Sequence, residues 1–493
     1  MVLFSFGCQR FSQDVVTTNQ SKNLVLIVVD TLRASHLHSY GYPLPTSPNL
    51  DQLASQGTRF SEFYSHSPWT RPSMATLLTG LYPRTTGIHE ERYDRLPSEL
   101  NTLAETLHEQ GFFTINITAN PNINEVFGFN QGFDVWMDST VVFKFMDVHE
   151  GQTRFNRRDT TVDNAKQITT RTIETLKTHK ETLLNQPFYL QLLYIDPHYP
   201  YRPPANHRAP FNKKEGVPYP GYDGEIHFTD QQIGRLLKRM TKMGLMDDTV
   251  IVVTSDHGEG LKDHPELLYS GNHGWYLYDS TQHIPLIIRH PDAKEEPQVV
   301  DAMRGSVDLF PTLVDLAGLD SSVLDLPGQS MAAAVLGEGH IESSPFVVSE
   351  TDWRSVNKTA IRTEEHILIQ NDGAAAHQTD GRFEGKKLDW VEKKILANTP
   401  PVEFYANSAM PTDVGQSHSL DEISAEMVRD LENWKTDYPI RSPIGRDAKD
   451  GTTHSDGTFV SSPFIETNSA PPMDDDVAEQ LKSLGYLGDE PEE

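Results

Sequence analysis

The stretch Asn23-Leu24-Val25-Leu26-Ile27-Val28-Val29-Asp30 decides the fold. Six consecutive apolar residues, with Val25, Ile27, Val28 and Val29 β-branched, describe a strand buried on both faces rather than an alternating one. Asp30 then places a carboxylate at the strand's C-terminal end. Working outward, the runs 188–195 and 250–253 repeat this pattern, and Asp196-Pro197-His198 and Asp256-His257 follow them. The intervening segments have helical grammar. Ser47-Pro48 caps and opens a helix on Leu50, Leu53 and Ala54 that Gly57 ends, and Pro72 to Gly80 forms a second. Residues 100–110 form a third, closed by Gly111 and followed by a strand at 112–118. Val162, Ala165, Ile168, Ile173 and Leu176 keep helical spacing, as do Ile233, Leu236, Leu237 and Met240 before Gly244. Strands alternating with helices predict crossover units and an α/β fold built on a mostly parallel sheet flanked by helices.

After about Gly339 the texture changes. Short strands at 346–348, 359–361 and 367–369 predict a smaller antiparallel sheet, and 424–434 predicts a helix. Segments 398–420 and 439–472, rich in Ser, Thr, Pro, Asp and Gly, read as loops or disorder, and 477–484 as a short amphipathic piece. The expected organisation is a leader or tether at 1–21, a catalytic domain at 22–338, a C-terminal subdomain at 339–440 and an acidic tail at 441–493.

With 42 Lys+Arg against 70 Asp+Glu, the net charge of −28 offers no basic footprint for nucleic acid. A single cysteine excludes a disulfide framework and a thiolate-rich zinc module. No apolar run approaches the ~20 residues of a membrane span. Cys8, after the apolar residues 1–7 and before the polar 9–23, has the plan of a lipoprotein leader. It is an expected membrane tether implying an extracytoplasmic location; incidental N-terminal coil is the alternative.

In open parallel sheets the ligand crevice lies outside the strand carboxyl ends, where Asp30, Asp196, His198, Asp256 and His257 all fall. Singly each has a plainer reading, a cap or a turn; together they read as a site. Two carboxylates and an imidazole make a mixed O/N site suited to zinc or manganese and open to magnesium or calcium. In Ser67-Pro68-Trp69-Thr70-Arg71-Pro72-Ser73-Met74, Thr70 is expected just before a helix N-terminus, which favours an anion. The plainer reading is that Thr70 or Ser73 only caps that helix.

These motifs, with Pro72-Ser-Met-Ala-Thr-Leu-Leu-Thr-Gly-Leu-Tyr-Pro83, Thr254-Ser-Asp-His-Gly-Glu259, Asn272-His-Gly-Trp-Tyr-Leu-Tyr-Asp279 and Ile284-Pro-Leu-Ile-Ile288, resemble the sulfatase family of the alkaline phosphatase superfamily. The resemblance runs in consistent order from about residue 22 to 335. It implies Asp30, Asp256 and His257 as metal ligands, Thr70 at the nucleophile position and joining the metal, and His198 and His273 at positions holding the substrate's anionic group. The departures matter. Sulfatases carry Cys or Ser in a Cys/Ser-X-Pro-X-Arg motif, converted to formylglycine, whereas Thr70 and Met74 stand here. Threonine cannot take that route, because its β-carbon bears a methyl group. Thr31 replaces the usual second acid, and Thr118-Ala-Asn-Pro-Asn122 replaces a Gly-Lys-Trp-His segment; within it Asn120 joins the expected substrate-binding set.

The pattern is similar to that of phosphate-handling relatives with a threonine nucleophile. It implies a metal-dependent hydrolase of anionic esters, phosphodiesters or phosphomonoesters first, acting through a covalent Thr70 intermediate. One metal is expected. A second, held by Asp196, His198 and His273, would suit dianionic monoesters, and His264 is a weaker candidate. The substrate would be a small-molecule, glycan or lipid ester. The alternatives are a sulfuric ester hydrolase, a phospho-head-group transferase and a non-catalytic binding protein.

Overall fold

The computed structural model describes residues 21–88, 94–138, 164–212, 218–264, 272–293, 296–353, 356–371, 400–406 and 422–441. Its first half contains strands β1 (Asn23–Val29), β2 (Thr58–Phe60), β3 (Phe63–Tyr64), β4 (Phe113–Thr118), β5 (Val135–Met137), β6 (Phe188–Tyr194) and β7 (Thr249–Thr254). Then follow β8 (Leu286–Arg289), β9 (Gln298–Val300), β10 (Arg304–Gly305), β11 (Val347–Thr351), β12 (Lys358–Arg362), β13 (His366–Asn371) and β14 (Val402–Ala406). The helices used below are α1 (Pro48–Ala54), α2 (Thr70–Thr79), α3 (Leu103–Glu109), α4 (Asn164–Thr178), α5 (Pro220–Met243), α6 (Leu309–Leu316) and α7 (Glu422–Asp437).

Eight strands form the main sheet in the order β5-β4-β6-β1-β7-β8-β2-β9. β1 lies between β6 and β7, parallel to both, with Leu26 opposite Gln191 on one side and Val252 on the other. Its side chains alternate between two cores. Leu24, Leu26 and Val28 enter a cluster with residues of α2, α3 and α6, whereas Val25, Ile27 and Val29 face α4 and α5. The continuous apolar run is therefore required, since neither face meets water. β8 is antiparallel to β7 and β2, the exception in an otherwise parallel sheet.

α5 is 24 residues long and starts well before the 233–240 run that marked it in sequence. Its Asp230 carboxylate accepts the Asn49 N–H at 3.0 Å and the Leu50 N–H at 2.8 Å. Those are the orphan donors of the first turn of α1, so the side-chain cap expected from Ser47 comes from a distant helix instead. The Ser47 hydroxyl bonds Asp51 Oδ1 at 3.1 Å.

The second sheet is antiparallel, β11-β12-β13-β14, with α7 packed on it through Val348, Ile361, Leu368, Phe404, Met427, Leu431 and Trp434. β14 corrects the reading of 398–420 as loop: the short run Val402-Glu403-Phe404-Tyr405 pairs with β13 and buries Phe404. A five-residue strand inside a polar stretch carries too little periodicity to show. Ser349 Oγ donates to the Ser65 carbonyl at 2.7 Å and Thr351 Oγ1 to the Gly274 carbonyl at 2.8 Å, while Trp353 meets Trp69 edge-on at 4.8 Å. This sheet therefore clamps the segment leading into α2. Cys8, Val162 and the acidic tail lie outside the described residues. Among those described, no helix is long and apolar enough to cross a membrane.

Candidate active site

Asp30 follows β1 and Asp256 follows β7; the pairing of Val28 with Thr254 brings these two strand ends side by side. His257 Nε2 lies 3.3 Å from Asp256 Oδ2 and 3.7 Å from Asp30 Oδ1. All three residues are fully buried, and the two carboxylate oxygens have no hydrogen-bond partner. His257 Nδ1–H donates to the Gly258 carbonyl at 2.8 Å, which leaves the lone pair on Nε2. Three lone-pair donors thus converge within 4.8 Å of one another, the one such group among the described residues. Burial, followed by the Asp256 charge, pushes the Asp30 carboxyl well above the usual carboxylate range. Two orphaned carboxylate oxygens and an aromatic nitrogen fit a divalent cation, which satisfies all three and removes that penalty.

Thr70 is the first residue of α2, with Trp69 at the cap position, rather than preceding the helix as expected. Its Oγ1 lies 3.3 Å from His257 Nε2 and 3.3 Å from Asn120 Nδ2. Asn120 Oδ1 accepts the Asn122 N–H at 2.8 Å, fixing the amide so that Nδ2 also donates to Asp30 Oδ2 at 2.5 Å. Ser73 donates to the Ser67 carbonyl at 2.8 Å, which locks the loop entering α2. Met74 is packed in the core, and Arg71 lies with its guanidinium 3.6 Å over Phe127 and 3.0 Å from Asn122 Oδ1.

Two further histidines border this centre. The His273 ring sits 4.6 Å from His257 and 4.9 Å from His198, centroid to centroid. His198 Nδ1–H donates to the Tyr199 carbonyl at 2.6 Å, and burial lowers its pKa to about 3. His273 Nδ1 bonds Glu259 Oε1 at 3.2 Å; burial and then the His257 charge drive its pKa well down. Both rings are neutral near pH 7. The second metal set does not assemble. Asp196 Oδ2 accepts the Ala165 N–H at 2.7 Å in the first turn of α4, and its charge bears on buried Glu225. The Asp196 carboxylate thus serves a helix N-terminus. His264 packs its ring on Tyr278 at 4.3 Å.

Three supporting residues escaped the sequence reading. Glu259 lies two positions beyond His257, and that short spacing was its signal. Ser255 Oγ accepts the Leu32 N–H at 2.9 Å and lies 2.6 Å from the His257 carbonyl, tying the two ligand loops together. Tyr222 of α5 gave no signal. Its hydroxyl donates to the Thr31 carbonyl at 2.6 Å and accepts the Arg33 N–H at 3.0 Å. Thr31 needs that grip, because its φ of 58° is a left-handed conformation costly for a β-branched residue. In that conformation the Thr31 N–H reaches Asp256 Oδ1 at 3.3 Å.

Residues 22–319 match the family model described as Sulfatase. The chain belongs to the sulfatase family. It is 27% identical over 363 residues to an uncharacterized sulfatase, YidJ, of Escherichia coli, covering 63% of this chain and 70% of that one. It is also 27% identical to human iduronate 2-sulfatase, covering 62% and 70%. Among solved structures, BT4656 in complex with D-glucosamine-2-N,6-O-disulfate superposes with a TM-score of 0.64 at 20% identity, over 87% of this chain and 100% of that one. The phosphonate monoester hydrolase of Agrobacterium radiobacter gives 0.63 at 18% identity, over 88% and 99%. This sulfatase-family protein is an ester hydrolase acting on anionic esters, and it carries a candidate Asp-Asp-His metal group.

Proposed function

We propose that this chain hydrolyses phosphoesters, diesters ahead of monoesters, through a covalent Thr70 intermediate beside a divalent ion held by Asp30, Asp256, His257 and Thr70. The observation that carries the proposal is the Thr70 hydroxyl, 3.3 Å from His257 Nε2 at the first position of a buried helix, where formylglycine cannot form. A bound divalent ion supplies Lewis acidity, lowering the pKa of a neighbouring hydroxyl and drawing charge from the ester.

The protein's own residues do the rest. Asn120 donates to Thr70 Oγ1 and Asp30 together, holding the nucleophile against the ligand set. Thr70 Oγ attacks phosphorus; the Oγ–P bond forms as the bond to the ester oxygen breaks, and the departing oxygen keeps the electron pair and takes up, through water, the proton that Thr70 Oγ gives up. The α2 N-terminus favours the resulting phosphoryl charge. In the second half, water attacks phosphorus, the Oγ–P bond breaks, and Thr70 Oγ keeps the electron pair and recovers a proton that His273 returns through water. His273 Nε2 takes the water's proton, because its Nδ1–H is held on Glu259, which steadies the imidazolium. With Nδ1–H committed to Tyr199, His198 holds an anionic oxygen through Nε2 by taking up a proton as the anion binds.

The second reading is sulfuric ester hydrolysis, favoured by the names of the curated relatives. It is weaker chemically, since a threonine sulfate lacks the hemiacetal elimination that frees formylglycine. Purified protein with zinc or manganese should turn over nitrophenyl phosphodiester or phosphate faster than nitrophenyl sulfate. Thr70→Ala should lower phosphoester turnover at least about 10³-fold, and Thr70→Ser should retain part of it. Sulfate turnover that survives Thr70→Ala would sink the proposal.

A further inference from the structure

The second half of α5 carries Arg235, Lys238, Arg239 and Lys242, spaced i, i+3, i+4 and i+7, so that they share one helical stripe. Lys177 of α4 faces them, and with Ile173 and Gln231 they line a cavity of about 460 Å³ between the two helices. All five cations are exposed. Among the described residues none of the five forms an ion pair, and Arg235 bonds only the neutral Thr170 and Gln232. No acidic residue lines the cavity. Lys242 in the last turn complements the helix dipole, but the stripe's like charges at i, i+3 and i, i+4 oppose one another. Its isolation is sharper in a chain whose net charge is −28.

The groove is separate from the catalytic centre. Tyr222, which touches the Thr31 loop, stands 13 residues before Arg235 and 20 before Lys242 on a continuous helix, or ~20 to ~30 Å at the α-helical rise. We propose that the groove is a docking site for a linear polyanionic glycan bearing repeated sulfate or phosphate groups. The stripe from Arg235 to Lys242 extends ~10 Å, long enough to meet more than one anionic group. The two arginines offer planar forks for sulfate or phosphate oxygens. The lysine stems give an apolar lining for sugar C–H faces. A lipid surface fits less well, because membrane-surface helices insert protruding apolar side chains, and Ile173, the one apolar residue of the lining, is buried. The proposal does not depend on which ester the Thr70 centre cleaves.

The test is binding of the full chain to labelled dextran sulfate, beside unsulfated dextran and vesicles of phosphatidylglycerol. Dextran sulfate should bind, weakening steeply between about 50 and 200 mM salt as counterions compete; unsulfated dextran should not bind. Lys238→Glu with Lys242→Glu, both exposed, should weaken binding at least about tenfold. Turnover of a small nitrophenyl ester should be unchanged in that variant, which separates the groove from the active site. Equal affinity of wild type and variant for dextran sulfate, or binding to vesicles alone, overturns the proposal.

Discussion

Thr31 concentrates the residue-scale lesson. Its place after a strand-end Asp was visible in the sequence, but its backbone conformation was not, because nothing local demands φ of 58° from a threonine. The demand comes from Tyr222, 191 positions away, which grips the Thr31 carbonyl and the Arg33 N–H. Tyr222→Phe leaves both backbone groups buried without this partner, at a cost of about 1–3 kcal/mol. It also loosens the N–H that Thr31 gives Asp256. Titration should show affinity for manganese falling about 10- to 100-fold, with KM for a nitrophenyl ester little changed at saturating metal. Unaltered metal affinity would make Tyr222 a packing residue only. Asp30, Thr70, Asp256 and His257 were legible because strand ends and a helix start fix their positions locally. Asp196 was read as a ligand of a possible second ion; the same strand-end logic cannot reveal a helix N-terminus arriving from elsewhere to take its carboxylate.

At the scale of elements, long buried strands announced themselves and short ones did not. β1, β6 and β7 are predominantly apolar runs of six or seven residues, whereas β2 and β3 have three and two residues and β14 was hidden in polar sequence. The β12–β14 region also buries charge. Glu403 accepts from Tyr278 at 2.7 Å, Tyr405 at 2.8 Å and Asn371 at 2.8 Å. Lys358, 1% exposed, has no hydrogen-bond partner for Nζ, which lies 4.6 Å over the Tyr276 ring. Burial lowers its pKa from 10.5 to about 8 against the pull of Glu403. Below pH 8 the ammonium is carried in the fold at full penalty. Between pH 8 and 10.5 the folded state sheds a proton that the unfolded chain keeps, so this group makes stability rise with pH. Lys358→Met should therefore stabilise the protein by about 1–3 kcal/mol at pH 7, and the advantage should shrink towards pH 10.5. Glu403 keeps its three donors in the variant. Urea unfolding at pH 7, 9 and 10.5 measures this; an advantage independent of pH would show that Lys358 keeps its ordinary pKa in the fold.

For the whole molecule, the charge of −28 opposes any anionic substrate at long range. A divalent ion held by Asp30, Asp256 and His257 would cancel the two carboxylate charges locally, and it would relieve two orphaned buried carboxylate oxygens. Stripping the protein with EDTA should therefore abolish turnover and also lower the melting temperature. Manganese at 100 times its Kd should restore about 2.7 kcal/mol of stability. Melting indifferent to both treatments would mean that the three lone pairs hold no ion. The claim most exposed to contradiction is covalent catalysis by Thr70. It is tested by quenching the metal-loaded enzyme during turnover of a phosphodiester and mapping its peptides by mass spectrometry. A phosphoryl or phosphodiester adduct on Thr70, absent from Thr70→Ala, is the expected result. Turnover with no adduct on Thr70, or turnover undiminished in Thr70→Ala, would contradict it.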